Sequence, residues 1–185
     1  NINSRMIKKK MKERVCVIGG GPGGYIAAIE FAKKGYRTTV VEKDYLGGTC
    51  LNWGCVPTKA LLSSAKLYHE IIQSKRYGIM VDNVHISESD FFERKNTIVK
   101  TLRSHVRQLL LSYSIDVITG VASFVNDQSI EIATAQETFI KSFDHIVIAT
   151  GSTPSKLKGF ETNGKTVLDS NQFLESDHLP KSVVI

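Results

Sequence analysis

The chain has 185 residues, 42% of them apolar and 8% aromatic, with 24 Lys and Arg against 18 Asp and Glu. That is material for one large domain or slightly more and marks a globular chain. The net charge of +6 is concentrated at the start: Arg5, Lys8, Lys9, Lys10, Lys12 and Arg14 stand against Glu13 alone, leaving the remainder close to neutral. Residues 1–13 therefore read as a solvated basic arm or an expression remnant, with targeting or nucleic-acid contact as competing readings. No apolar run approaches the roughly 18 residues that cross a bilayer, and no signal-peptide core follows the basic start. The expectation is a reducing, cytoplasmic or organelle-matrix setting, with neither membrane nor nucleic acid as partner.

A short apolar run, Arg14 to Ile18, meets Gly19-Gly20-Gly21-Pro22-Gly23-Gly24, in which Gly19, Gly21 and Gly24 satisfy G-x-G-x-x-G. Helical periodicity continues through Ala27, Ala28, Phe31 and Ala32 until Gly35. A second β-branched run, Thr38 to Val41, ends at the acidic Glu42. This is a βαβ unit with a dinucleotide fingerprint. Gly19 permits the tight turn, Gly21 lets the backbone approach a pyrophosphate, and Gly24 lets helix and strand pack closely. The helix N-terminus offers free N–H groups and partial positive charge to phosphates. Glu42 would accept hydrogen bonds from ribose hydroxyls and repel a 2′-phosphate. A glycine-rich loop without a ligand is the bland alternative, and the strand-loop-helix-strand-acid context argues against it.

Residues 43–55 read as a linking loop, followed by a helix from Val56 to about Lys75. Pro57 suits its first turn, and Leu61, Leu62, Ala65, Leu67 and Ile71 fit a buried face. Within this stretch Gly48 to Lys59, G-T-C-L-N-W-G-C-V-P-T-K, places Cys50 and Cys55 five apart at the mouth of the helix. A cysteine at a helix N-terminus has its thiolate stabilised by the helix dipole. In a reducing compartment a close pair points to redox chemistry or metal binding. Zinc sites usually add a second ligand pair; this chain offers only Cys16 inside a strand, and its five histidines are scattered. Two unrelated buried thiols are the other alternative. Joined to the fingerprint, the pair reads as a redox disulfide sharing a site with a flavin, and no metal is expected. Lys59, one helical turn past Cys55, has two open readings: it stabilises negative charge on a reduced flavin, or it faces solvent.

A long helix is predicted from about Ser89 to Tyr113, with Phe91, Ile98, Val99, Leu102, Val106, Leu109 and Leu110 at helical spacing. From Ile115 the period becomes that of strands: Ile115 to Ile118, then Ala122 to Val125, Ser129 to Ile132 and Thr138 to Lys141 as an antiparallel meander. His145 to Ile148 runs into Ala149-Thr150-Gly151-Ser152, a second place where backbone can approach a cofactor. A short helix is expected around Asn171 to Leu174, and a strand beginning at Ser182 to Ile185.

These motifs resemble the flavin-dependent pyridine nucleotide–disulfide oxidoreductases, and within them the lipoamide dehydrogenase branch. The likeness rests on the V-I-G-G-G-P-G-G start, Glu42, the segment from Gly48 to Lys59, Gly120-x-Ala122 and A-T-G-S at 149–152. Leu51-Asn52, Thr58-Lys59 and Ala60-Leu61-Leu62 favour that branch over glutathione and trypanothione reductases. Mercuric reductases are nearer, but their N-terminal metal-binding module is not in this sequence.

The resemblance implies that Cys50 is the interchange thiol and Cys55 the flavin-facing one. FAD contacts would come from Gly19, Gly20, Gly21, Pro22, Gly23, Gly24, Glu42, Lys43, Gly48, Thr49, Lys59, Ala122, Thr150, Gly151 and Ser152. It implies an α/β fold: a Rossmann-like FAD-binding βαβ domain with a parallel sheet, a long helix pair and a three-stranded antiparallel meander. That domain would span 14–152, with 153–185 a connector and the chain truncated before an NAD-binding domain. The parent enzyme would be a homodimer acting with NAD on lipoyl domains of 2-oxo acid dehydrogenase complexes, and this portion inactive alone. Reduction of another disulfide or of mercuric ion, and a non-catalytic flavin-binding module, are the alternatives.

Overall fold

The computed structural model describes residues 12–185, so the basic arm read over 1–13 falls almost wholly outside the described residues. The chain divides into two compact units. One runs to Asp44 and resumes over Leu109–Ala149; the other comprises Tyr45–Gln108 and Thr150–Ile185.

In the first unit β1 (Arg14–Ile18), α1 (Pro22–Lys33) and β2 (Arg37–Glu42) form the expected βαβ, and β3 (Asp116–Thr119) and β7 (His145–Ile148) complete a parallel sheet ordered β3-β2-β1-β7. β1 lies at the centre, pairing Val17 with Val40 on one side and with Val147 on the other. A central parallel strand is covered on both faces, which is why Val15, Cys16, Val17 and Ile18 are all buried and read as a continuous apolar run. The second sheet is the meander β4 (Val121–Phe124), β5 (Ser129–Ala133) and β6 (Thr138–Ser142), in that order and antiparallel. β5 alternates inward Ile130 and Ile132 with outward Glu131, the period-two pattern of a half-buried strand. Those two isoleucines pack with Cys16, Ile18, Val41 and Phe143 in one core.

The second unit is helical: α2 (Gly48–Trp53), α3 (Cys55–Ile72), α4 (Glu88–Ser112) over its residues up to Gln108, and α5 (Ser170–Glu175). Two expectations are corrected here. Residues 43–55 are not all loop, since Gly48–Trp53 is helical, and Ser182–Ile185 pairs with no strand among the described residues. The buried face of α3 also differs from the one expected. Pro57 and Ala60 are buried, and Leu61, Ser64, Tyr68 and Ile71 half-buried, a stripe at spacings of three and four. Leu62, Ala65 and Leu67 lie off that stripe and are exposed. Likewise Val99 of α4 is buried while Leu102 is exposed.

α5 starts with a reciprocal cap. Asp169 Oδ1 accepts from the Gln172 amide at 2.8 Å, and Gln172 Oε1 accepts from the Asp169 amide at 3.0 Å. At its other end the buried Lys95 ammonium of α4 donates to the Leu174 carbonyl at 2.6 Å and the Ser176 carbonyl at 3.3 Å. A cation there complements the negative end of the helix.

Candidate functional site

In the first unit the chain leaves β1 through Gly19 at φ +106°, backbone that a side chain disfavours. The Gly19 amide donates to the Val41 carbonyl at 2.8 Å, and the next amide, Gly20, donates to Glu42 Oε2 at 2.6 Å. Glu42 Oε1 accepts from the Asp44 amide at 2.9 Å. One carboxylate thus ties the loop after β1 to the loop after β2.

Gly21 then caps α1 in extended conformation, with no side-chain cap on the first turn and Pro22 at its start. The first helical bond runs from the Tyr25 amide to the Gly21 carbonyl at 2.9 Å. At Gly24 an added Cβ would stand 1.8 Å from the Gly19 carbonyl oxygen, so no side chain fits. At Gly23 it would meet nothing within 4 Å. Exposed N–H donors of the first turn, open space before them and a half-buried carboxylate nearby fit a diphosphate followed by a ribose. The fit extends along β4, where Ala122 is half-buried. The Gly120 amide leading into that strand donates to the Glu42 carbonyl at 2.9 Å. Lys43 lies on the surface with its ammonium 3.9 Å from Asp44.

In the second unit Cys50 of α2 and Cys55, the first residue of α3, form a disulfide with Cα atoms 4.7 Å apart. Gly54 between the helices sits close against the preceding turn: a Cβ there would lie 3.0 Å from the Thr49 carbonyl oxygen. α3 opens with no side-chain cap, and its first bond joins the Thr58 amide to the Gly54 carbonyl at 3.2 Å. The sulfur of Cys55 is therefore held where a helix favours negative charge. Cys55 is the more exposed of the pair and Cys50 half-buried. Gly48 and Thr49 form the first turn of α2, Lys59 is exposed on α3 one turn beyond Cys55, and Thr150, Gly151 and Ser152 are exposed.

The sequence reading missed what holds α2 in place. Asn52, buried between the two cysteines, donates through Nδ2 to the carbonyls of Gly48 at 2.9 Å and Leu46 at 3.1 Å, with Tyr45 at 3.4 Å. Its Oδ1 accepts from Arg103 Nε of α4 at 2.7 Å, and the guanidinium lies 3.6 Å from the centre of the Tyr45 ring. Trp53 adds a bond from Nε1 to Glu175 Oε1 at 2.5 Å. A cavity of about 210 Å³ beside this cluster is lined by Tyr45, Trp53, Val99 and Arg103, among others. No signal local in sequence marks Arg103, which stands 51 residues from Asn52. Cys16, by contrast, is buried and its thiol pushed up to about 12 by desolvation, partly offset by Lys141. It is a core residue. No three potential metal ligands cluster among the described residues.

Comparison with known proteins decides what these features belong to. A family profile described as pyridine nucleotide-disulphide oxidoreductase matches residues 13–185. The chain belongs to this family. Within it, dihydrolipoyl dehydrogenase of Bacillus subtilis is 38% identical over 180 residues, covering 92% of this chain and 38% of the relative. The mitochondrial dihydrolipoyl dehydrogenase of Pisum sativum is also 38% identical, over 92% of this chain and 35% of its own length. Among solved structures, LpdA of Mycobacterium tuberculosis superposes with a TM-score of 0.80 at 26% identity, covering 91% of this chain and 38% of that one. The HOCl-induced flavoprotein disulfide reductase RclA of Escherichia coli gives 0.71 at 30% identity, over 91% and 35%. The chain thus spans little more than a third of the family members it matches. Among the described residues no helix is long and apolar enough to cross a membrane.

Proposed function

We propose that this chain is the FAD-binding, disulfide-bearing part of a dihydrolipoyl dehydrogenase, with residues 14–152 holding the flavin and 153–185 leading into an NAD-binding domain. The observation that carries the reading is the Cys50–Cys55 disulfide set at the first residue of an 18-residue helix, in a chain of this family. A dihydrolipoyl thiolate attacks the Cys50 sulfur, forming a mixed disulfide and releasing Cys55 as a thiolate at the helix N-terminus. The second dihydrolipoyl thiol then displaces Cys50, so the lipoyl group leaves as a disulfide and both cysteines are reduced. FAD, when bound, supplies the two-electron acceptor that returns the pair to the disulfide, with NAD as final acceptor.

Gly19 to Gly24 would hold the diphosphate and Glu42 the ribose, with further contacts from Lys43, Gly48, Thr49, Ala122 and Thr150 to Ser152. Lys59, one turn beyond Cys55 and exposed, would place its ammonium toward the flavin. Lipoyl domains of 2-oxo acid dehydrogenase complexes are the proposed partners, and the parent enzyme a homodimer. Cys55 takes the flavin-facing role by its place at the start of α3, although it is the more exposed of the two.

In the FAD-loaded full-length enzyme, Cys50→Ser should abolish exchange with dihydrolipoamide while leaving a thiolate–flavin charge-transfer band. A Cys50→Ser enzyme with full activity would refute the roles. The likeness to RclA favours a second reading, reduction of a different disulfide. Turnover with glutathione disulfide or another disulfide, and none with lipoamide, would decide for it.

A further inference from the structure

We propose that Asn52 and Arg103 are positioning residues for the redox pair: they hold α2 in place when the disulfide is open, and so set its redox potential. The inference rests on the redox role proposed for Cys50 and Cys55. While the bond is closed, α2 is joined to α3 by a second covalent link besides the backbone at Gly54. Once it opens, the backbone keeps the two cysteines close, but what holds their sulfurs facing each other is the non-covalent seating of a six-residue helix, too short to be stable by itself.

Most of the side-chain hydrogen bonds that seat it converge on one buried residue. The Asn52 amide satisfies the Gly48 and Leu46 carbonyls, fixing the turn that starts α2, and its oxygen takes the Arg103 Nε–H. Arg103 is itself positioned by stacking on Tyr45 and by its place on the 25-residue α4, so the anchor belongs to a long helix and not to the turn it holds. Holding two thiols near each other raises their effective concentration, which favours the disulfide over the dithiol. Loosening the anchor should therefore make the couple more oxidising.

The test equilibrates the full chain with glutathione. Two glutathiones give up two electrons and two protons, becoming glutathione disulfide, and Cys50 and Cys55 gain them as two thiols. Alkylation and mass spectrometry read the ratio, and circular dichroism checks folding. Asn52→Ala and Arg103→Gln should each shift the equilibrium about tenfold toward the dithiol, about 30 mV less negative. The double variant should go no further than the larger single one, because both break the same contact. Arg103→Lys, which keeps the charge but loses the planar fork and the stack, should behave like Arg103→Gln. Arg107→Gln, on an exposed position of α4, should match the wild type.

If Asn52→Ala does not fold, the two Arg103 variants decide. Wild-type equilibria in them would overturn the proposal, as would a wild-type value in Arg103→Lys alone, since charge and not placement would then be acting. A wild-type disulfide that no glutathione ratio opens would overturn the redox reading itself.

Discussion

The carboxylate of Glu42 receives the Gly20 amide at 2.6 Å, so the last residue of β2 orders the loop that follows β1. The same residue proposed to take a ribose is already holding the glycine loop after β1 in shape. Each of its oxygens accepts one amide, from Gly20 or Asp44, and retains a lone pair for a hydroxyl.

Glu42→Gln should therefore cost stability as well as flavin. Hydrogen bonds to a charged acceptor contribute about 1.5–3 kcal/mol, and a loss of about 1 kcal/mol is expected, since an amide oxygen can keep one of the two. A urea unfolding midpoint and quenching of FAD fluorescence read the two effects separately. A change in affinity with no change in midpoint would show that the carboxylate plays no part in ordering the loop.

The two glycines of the first turn of α1 should respond in opposite ways. Gly24→Ala drives a methyl into the Gly19 carbonyl, and the backbone must shift, at about 3 kcal/mol or more. Gly23→Ala places its methyl in open space and should raise thermal stability slightly, by about 0.5–1 kcal/mol at most, as Ala replaces Gly in a helix. If a diphosphate occupies that space, Gly23→Ala should weaken FAD binding at least tenfold in spite of its stability. Undiminished binding would place the phosphates elsewhere.

Lys95 makes stability depend on pH. Burial lowers its native value, opposed in part by Asp177 and then Glu175. Below both the native and unfolded values the ammonium is protonated in either state. Between them the unfolded chain binds more protons, so raising the pH stabilises the fold. Compared with Lys95→Met, the wild type should gain stability as pH climbs from neutrality toward the ordinary lysine value, and urea midpoints at pH 7 and pH 10 measure this. A constant difference would mean that the ammonium titrates as if in water.

Cys16 should be silent. With its thiol pushed up to about 12 and its side chain fully buried, iodoacetamide at pH 8 should label two thiols per reduced native chain and three in denaturant. Labelling of Cys16 under native conditions would contradict its place in the β-sheet core.

Much of this fold is legible in the residues. The βαβ unit, the meander and the long helix, expected over 89–113 and found at Glu88–Ser112, all carry a period that repeats often enough to be read. α2 does not. Six residues rich in Gly, Thr and Asn look like loop, because their polar side chains usually serve turns; here Asn52 turns its amide inward and bonds three carbonyls. The disulfide pairing followed from a motif of adjacent residues, whereas the contact anchoring it spans two helices and left no periodic trace. Leu62, Ala65 and Leu67 lie on the exposed face of α3: apolar character alone does not choose between neighbouring stripes of a helix. The polar Ser64 and Tyr68 share the half-buried stripe instead. Lys95 had no distinguishing signal among the charged residues of α4; its burial comes from a helix more than seventy residues away.

The parallel ladder between β2 and β3 pairs Thr39 with Asp116, partners between which three helices must be threaded. Closing so large a loop has an entropic cost before any strand contact offsets it. The β1–β7 ladder, which pairs Val17 with Val147, closes a larger loop still, so both edges of the sheet should assemble late as the chain folds, after the cysteine-bearing turn has already acquired its local shape.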